Sequence, residues 1–237
     1  MKKILLIAVL ILTAFANTSS TMKQSSFQNF EAQYKVWTPK ETKTINYYRY
    51  GAKVAYEYPV QGITEVWTQM PNNRATLVRG FDHDKRSIEY DTIDLKMEKK
   101  NSTWKQHANI MSPKNFKFNS VVQQTINDIE VLHYSKKEGS RVMDMYWDTQ
   151  RDLLFSFSIK ENNVPLFTYQ LISVEKKSIN DSHVAQVLAY DTTDFADIGD
   201  NESDPFFRKM INLGFIAHHE ANIIDANGNN LELAHNH

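Results

Sequence analysis

Histidine and carboxylate are the only transition-metal ligands this sequence offers, because it has eight histidines and no cysteine. His218, His219, Glu220, His235 and His237 gather near the C-terminus. His235 and His237 can reach one ion from an extended chain, and His218 can join them. A zinc or copper centre needs three or four such groups held rigidly, whereas residues 218–237 are polar and Asn-rich. A solvated tail competes with a metal site there, and no metal or other cofactor is expected. Asp191, Asp194, Asp197, Asp200, Glu202 and Asp204 form an acidic run of the oxygen type that calcium prefers. The spacing of a calcium-binding loop is not met, because Asp194 and Asp197 are three apart and no Glu closes the loop. His83 sits between Asp82 and Asp84, and a neighbouring carboxylate can orient an imidazole and raise its pKa. The same residues are ordinary turn formers. Nucleophile-elbow, zinc-protease and nucleotide-binding motifs are absent. Seven glycines in the whole chain argue against a phosphate-cradling loop. No catalytic residue is assigned on these grounds.

The stronger signal is aromatic. Tyr56, Tyr58 and Trp67 crowd one segment, and Met143, Met145, Trp147, Phe155 and Phe157 crowd another. Such side chains fill cores. They equally suit the lining of an apolar cavity, where Met adds an adaptable surface. These eight residues are the candidate ligand-binding set.

The elements that would carry them read as strands. Val54, Tyr56 and Tyr58 alternate over residues 53–58, and a second strand covers 63–70. Met70-Pro71-Asn72-Asn73 is a turn. Ala75, Leu77 and Phe81 follow at period two, then a turn over 82–85, then Ile88 and Tyr90. Turn-to-turn spacing of this kind marks an antiparallel meander. Residues 94–104 fit either a strand end or a loop, and 112–118 either a short helix or a crossing loop. Strands are expected again over 128–135, 141–147, 153–159 and 164–174. In the third of these, Leu153, Phe155, Phe157 and Ile159 should face one side and Ser156 and Ser158 the other. One helix is expected at 205–213, with Asp204 before Pro205 as its cap and Gly214 at its end. The fold class is therefore mainly β: a curved antiparallel sheet with a few short helices, occupying residues 30–190. An acidic loop, the short helix and a polar tail make up 191–237.

The first residues set the compartment. Lys2 and Lys3 precede an apolar run, and Ala14-Phe15-Ala16 closes it with the small-x-small pattern of a signal peptide, residues 1–16. The run is shorter than the roughly eighteen apolar residues of a membrane span. Cleavage near Ala16 would leave a flexible lead-in over 17–29 and a periplasmic or secreted chain, with no stable membrane insertion of the mature form. With 27 basic and 28 acidic residues there is no broad basic footprint, and a nucleic-acid partner is not expected.

The segment from Ile129 to Lys176 orders its signals as strand, glycine turn, a strand ending Met143-Asp144-Met145-Tyr146-Trp147-Asp148, then Thr149 to Leu154 and two more strands. With the short aromatic strands of 45–90, it resembles the periplasmic lipoprotein-carrier family over about residues 45–176. Leu154 stands where that family's pattern has proline, and nothing in the family corresponds to 190–237. The resemblance implies a half-barrel closed by short helices over an apolar cavity that holds acyl chains. The expected function is thus a non-enzymatic carrier or binding protein for an apolar small molecule, a lipid or a lipoprotein. A metal-dependent enzyme built on the C-terminal His and Asp residues is the alternative, as is a structural part of a cell-envelope complex with a protein partner.

Overall fold

The computed structural model describes residues 29–201, 203–214, 223–224 and 230–231. The proposed signal peptide, almost all of the lead-in, and His218, His219, His235 and His237 lie outside the described residues.

Twelve strands form one open, curved sheet. In chain order these are β1 (Asn29–Trp37), β2 (Thr42–Tyr50), β3 (Lys53–Tyr58), β4 (Ile63–Met70), β5 (Arg74–Phe81), β6 (Arg86–Tyr90), β7 (Ser120–Ile126), β8 (Ile129–Glu138), β9 (Arg141–Asp148), β10 (Leu153–Glu161), β11 (Val164–Glu175) and β12 (Asp191–Asp194). The sheet runs β12-β6-β5-β4-β3-β2-β1-β11-β10-β9-β8-β7. Every pair is antiparallel except β12, which lies parallel to β6. The expected acidic loop thus begins as an edge strand, and the sheet is mixed.

Alternation explains the layering. In β1, Phe30, Ala32, Tyr34 and Val36 are buried while Glu31, Gln33 and Lys35 point the other way. Their face continues through Tyr47 of β2, Val54 of β3, Trp67 of β4 and Leu77 of β5 into one aromatic core. The opposite face is polar at the sheet's flanks but apolar at its centre. There Tyr48, Tyr50, Ala55 and Val66 are covered by Val184 and Val187 of helix α3 (His183–Val187).

Curvature has an identifiable source. Register breaks between Gln33 and Tyr34, Leu154 and Ser156, and Ile159 and Lys160 fall on the neighbouring pairs β1–β11, β9–β10 and β10–β11. An extra residue on one strand bends and twists the ladder locally. The curl brings the start of β10 over β1, where the Tyr34 hydroxyl donates to the Leu154 carbonyl at 2.7 Å. The break also overturns part of the expected alternation. Phe155 is the unpaired residue at the bulge and lies outside the core, whereas Leu153, Leu154 and Phe157 are all buried.

Helices supply the covering layer. The segment 94–104, expected as a strand end or loop, begins inside α1 (Thr92–Met97), whose Asp91 cap accepts from Ile93 and Asp94 while Asp94 accepts from the Asp91 backbone. After α2 (Trp104–His107) the chain crosses to a single 3-10 turn at Pro113–Asn115. The predicted helix is α4 (Pro205–Asn212), capped by Asp204 and docked through Phe206, Phe207 and Met210. Arg86 lies over the Phe206 ring at 4.8 Å and donates to Asp204 at 3.3 Å, so one side chain fixes both the cap and the apolar face.

Candidate functional site: a tyrosine-lined cleft under a strap

The concave face does not stay open. Residues 101–118 cross it as a strap, held by sheet side chains that reach up to the strap's backbone. The Tyr47 hydroxyl donates to the Ala108 carbonyl at 2.7 Å, and the Tyr56 hydroxyl donates to the His107 carbonyl. The His107 ring stacks flat on Trp67, with centroids 3.4 Å apart. Its Nε2 lies 2.6 Å from the Asn101 carbonyl, which can only accept, so that nitrogen carries the proton. Burial holds the His107 pKa below its ordinary value, partly offset by the hydrogen bond to Asn101. Further along, Phe116 packs on Phe157 and Phe118 on Tyr134.

Arg49 fastens one end of this assembly. It donates to the Arg151 carbonyl at 3.0 Å, to the Asp152 carbonyl at 2.9 Å, to the Tyr47 hydroxyl at 3.1 Å and to the Asn109 side chain. Its guanidinium sits 5.0 Å from the centre of the Phe30 ring. The receiving turn is built by Asp148, which is fully buried, accepts from the Gln150 and Arg151 amides, and pairs with the Arg151 guanidinium at 2.5 Å. That turn closes the Trp147-Asp148 motif noted in the sequence.

Two hollows remain between sheet and strap, and a third opens beside them. The central one, of 230 Å³, is walled by Tyr56, Tyr58 and Trp67 with Ile45, Ile110 and Tyr169. A second, of 450 Å³, adjoins it beyond the strap, because Tyr58 and Glu65 line both; its wall also includes Ile63, Arg79, Glu98, Lys100 and Gly214. A third, of 370 Å³, shares Asn109 with the first and is bounded by Leu132, Tyr134 and Trp147. Of the eight candidate residues, Tyr56, Tyr58 and Trp67 therefore meet in one cleft and Trp147 lies in another. Met145 and Phe157 are buried core, Met143 packs on that core, and Phe155 is outside it. Burial raises the pKa values of Tyr56, Tyr58 and Tyr169 above the ordinary range, so these rings stay neutral at physiological pH. They offer apolar faces, and the Tyr56 hydroxyl is already committed to the His107 carbonyl.

The sequence reading missed half of this cleft. Tyr169 and Ile45 lie on strands whose inward faces were not assigned, although the alternation Phe167, Tyr169, Leu171 was there to use. The strap was not recognised because its helical pieces, α2 and the 3-10 turn at Pro113–Asn115, have four and three residues, too short for a period to show.

A polar cluster lies on the opposite face. Asp82, read as either an orienting partner of His83 or an ordinary turn residue, accepts from the Thr64 hydroxyl at 3.0 Å and the Tyr190 hydroxyl at 3.1 Å and pairs with His183 at 3.1 Å. His83 packs its ring on Gly62, whose positive φ and missing Cβ make room for it. The hydrogen bond to Asp82 raises the His183 pKa against its burial, and His183 in turn lowers that of Asp82 against burial there. A threonine, a histidine and a carboxylate together suggest nucleophilic catalysis, but the geometry does not support it. The same His183 nitrogen faces both Thr64 and Asp82, and Thr64 is fully buried. The cluster docks α3 on the sheet. Among the described residues no three metal-ligating side chains come together.

These observations define a class: a curved, half-barrel-like sheet with a strapped concave face. No family model and no curated protein matches the chain. Among solved structures, PNGF-II in its P21 crystal form is similar over 73% of this chain and 32% of its own length, at 13% identity and TM-score 0.42. Pseudomonas aeruginosa MucB in complex with MucA matches over 67% of this chain and 54% of its own, at 8% identity and TM-score 0.38. A DUF1329 family protein from Desulfovibrio piger matches over 68% and 92%, at 6% identity and TM-score 0.34. The chain thus spans about a third of PNGF-II and about half of MucB. At these scores none of the three assigns it an activity. No helix among the described residues is long and apolar enough to cross a membrane.

Proposed function

We infer that the protein is an exported, non-enzymatic binding protein that takes an acyl chain or similar apolar ligand into the cleft between the concave face and the strap. The observation that carries this reading is the central hollow under the strap, walled by Tyr56, Tyr58, Trp67 and Tyr169, with a larger hollow adjoining it at Tyr58 and Glu65. Their sizes bracket the lower part of the roughly 300–1,000 Å³ range of small-ligand sites. Burying about ten methylenes would yield roughly 8 kcal/mol at about 0.8 kcal/mol each, before the cost of ordering the chain. That suits reversible carriage better than permanent capture. Export rests on the signal-like segment at 1–16.

The test is displacement of a fluorescent fatty acid from the purified protein. Saturable binding at micromolar concentration, weakened at least tenfold by Ile110→Asp in a chain with unchanged circular dichroism, supports the reading. Absence of saturable binding removes it.

A further inference from the structure

The two edges of the sheet are guarded differently. β12 has four residues, and Asp191 and Asp194 stand at its ends. Short length and charge are common means of keeping an edge from pairing with a foreign strand. β7 forms the other edge with seven residues, Ser120–Ile126, of sequence SVVQQTI. It has no charge, no proline and no glycine, and its register with β8 runs unbroken from Ser120–Ser135 to Ile126–Ile129. Val121 and Val122 are more than half exposed, at 53% and 52%.

Hairpin geometry decides which backbone groups are free. Asn127 and Asp128, both at positive φ, make a two-residue loop, so Ile126 and Ile129 are its closing hydrogen-bonded pair. Antiparallel pairing alternates, so Gln124, Val122 and Ser120 also turn their N–H and C=O toward β8. Val121, Gln123 and Thr125 turn theirs away from it, and among the described residues no strand pairs on that side.

This edge is complementary to itself. Its three outward residues are spaced evenly about Gln123. A two-fold axis there sets Gln123 opposite Gln123 of a second copy and Val121 opposite its Thr125, so each outward N–H meets an outward C=O. A two-fold contact brings any charge near the axis against its own like. Here the facing side chains are Gln–Gln, Val–Thr and, on the other face, Val122–Gln124, all neutral.

We propose that the protein self-associates by antiparallel pairing of β7 with β7 of a second copy, about a two-fold axis at Gln123, which joins two curved sheets into one. A single added strand pair is a small interface, so the association is weak and reversible.

Sedimentation velocity on the purified protein, from about 1 to 200 μM, spans the range in which such a contact titrates. The expected result is a concentration-dependent monomer–dimer equilibrium. Gln123→Lys and Gln123→Glu, each alone and with unchanged circular dichroism, should weaken it about tenfold or more, because like charges then face each other across the axis. An equimolar mixture of the two should associate again, since lysine then faces glutamate. Gln123→Pro removes an outward N–H without touching the β8 ladder and should weaken the dimer by a similar factor. A chain that stays monomeric throughout overturns the proposal. So does a dimer that survives all three substitutions, or a lysine–glutamate mixture that fails to associate.

Discussion

Arg49 joins strand β2 to the turn between β9 and β10 and to the strap, so replacing it with Met tests how the half-barrel is closed. Four donor contacts disappear: two to the carbonyls of residues 151 and 152, one to Tyr47 and one to Asn109. A hydrogen bond to a charged donor contributes about 1.5–3 kcal/mol when well shielded, and less where water competes. Arg49 is only partly buried, and water can reach the freed Asp152 carbonyl. The four are not additive, and a total of about 3 kcal/mol is expected, including a small loss from the Phe30 face. For a chain of this size that corresponds to a fall in Tm of about 6–12 °C. Urea denaturation followed by tryptophan fluorescence gives the free energy directly. Arg49→Lys keeps the charge but loses the planar fork, so it should recover only about 1 kcal/mol. A cost for Arg49→Met below about 1 kcal/mol, or full recovery by lysine, would show that the closure does not depend on this fork.

Other perturbations have equally definite outcomes. Phe157→Ala, at a ring 3% exposed and packed on Phe116, should cost about 3–5 kcal/mol by chemical denaturation; the same change at bulged Phe155 should cost well under half of that. Gly80→Ala would place a Cβ 2.5 Å from Val187 Cγ1, so α3 must shift, at about 1–3 kcal/mol and with faster hydrogen exchange over 183–187. Because the folded-state pKa of His183 is raised, its contribution is complete below pH about 6.5 and is lost as pH climbs through the raised value. The lowered pKa of Asp82 gives a contribution present above about 3.8 and lost as pH falls through the lowered value. His183→Gln should therefore remove the alkaline-side decline from a plot of stability against pH. His107 has the opposite sign, since its lowered pKa favours the folded chain above about 6.5 and the advantage goes as pH falls. His107→Phe should flatten that acid-side loss. N-terminal sequencing of the exported form should begin at Asn17, and a mature chain that retains Met1 would contradict the export reading.

Much of the fold was legible because one period dominates. Strands β3 and β4 fall where alternation and turn residues put them, at Lys53–Tyr58 and Ile63–Met70, and α4 begins at the expected Asp204-Pro205 signal. What could not be read was decided by tertiary context. Phe155 obeys the alternation in sequence and loses it to a bulge, because a register break is fixed by the neighbouring strand. The strand start expected at Asp128 is instead a turn, since Asn127 and Asp128 both take positive φ in a tight hairpin. β12 reads as an acidic loop until its pairing with β6 supplies the missing hydrogen bonds. For the cleft, the sheet residues Tyr56, Tyr58 and Trp67 were legible. The strap that turns a groove into a cleft was not, because it is held by hydroxyl-to-carbonyl bonds whose partners lie about fifty or sixty residues apart.

Photolabelling tests the central claim most directly. A myristoyl ester carrying a diazirine at mid-chain, photolysed on the purified protein and mapped by peptide mass spectrometry, reports where the hydrocarbon lies. The account predicts competed labelling at Tyr58, Ile110 and Tyr169, suppressed by excess monomyristin. Labelling confined to exposed apolar residues such as Val121, Val122 and Ile172, and unaffected by competitor, would contradict it.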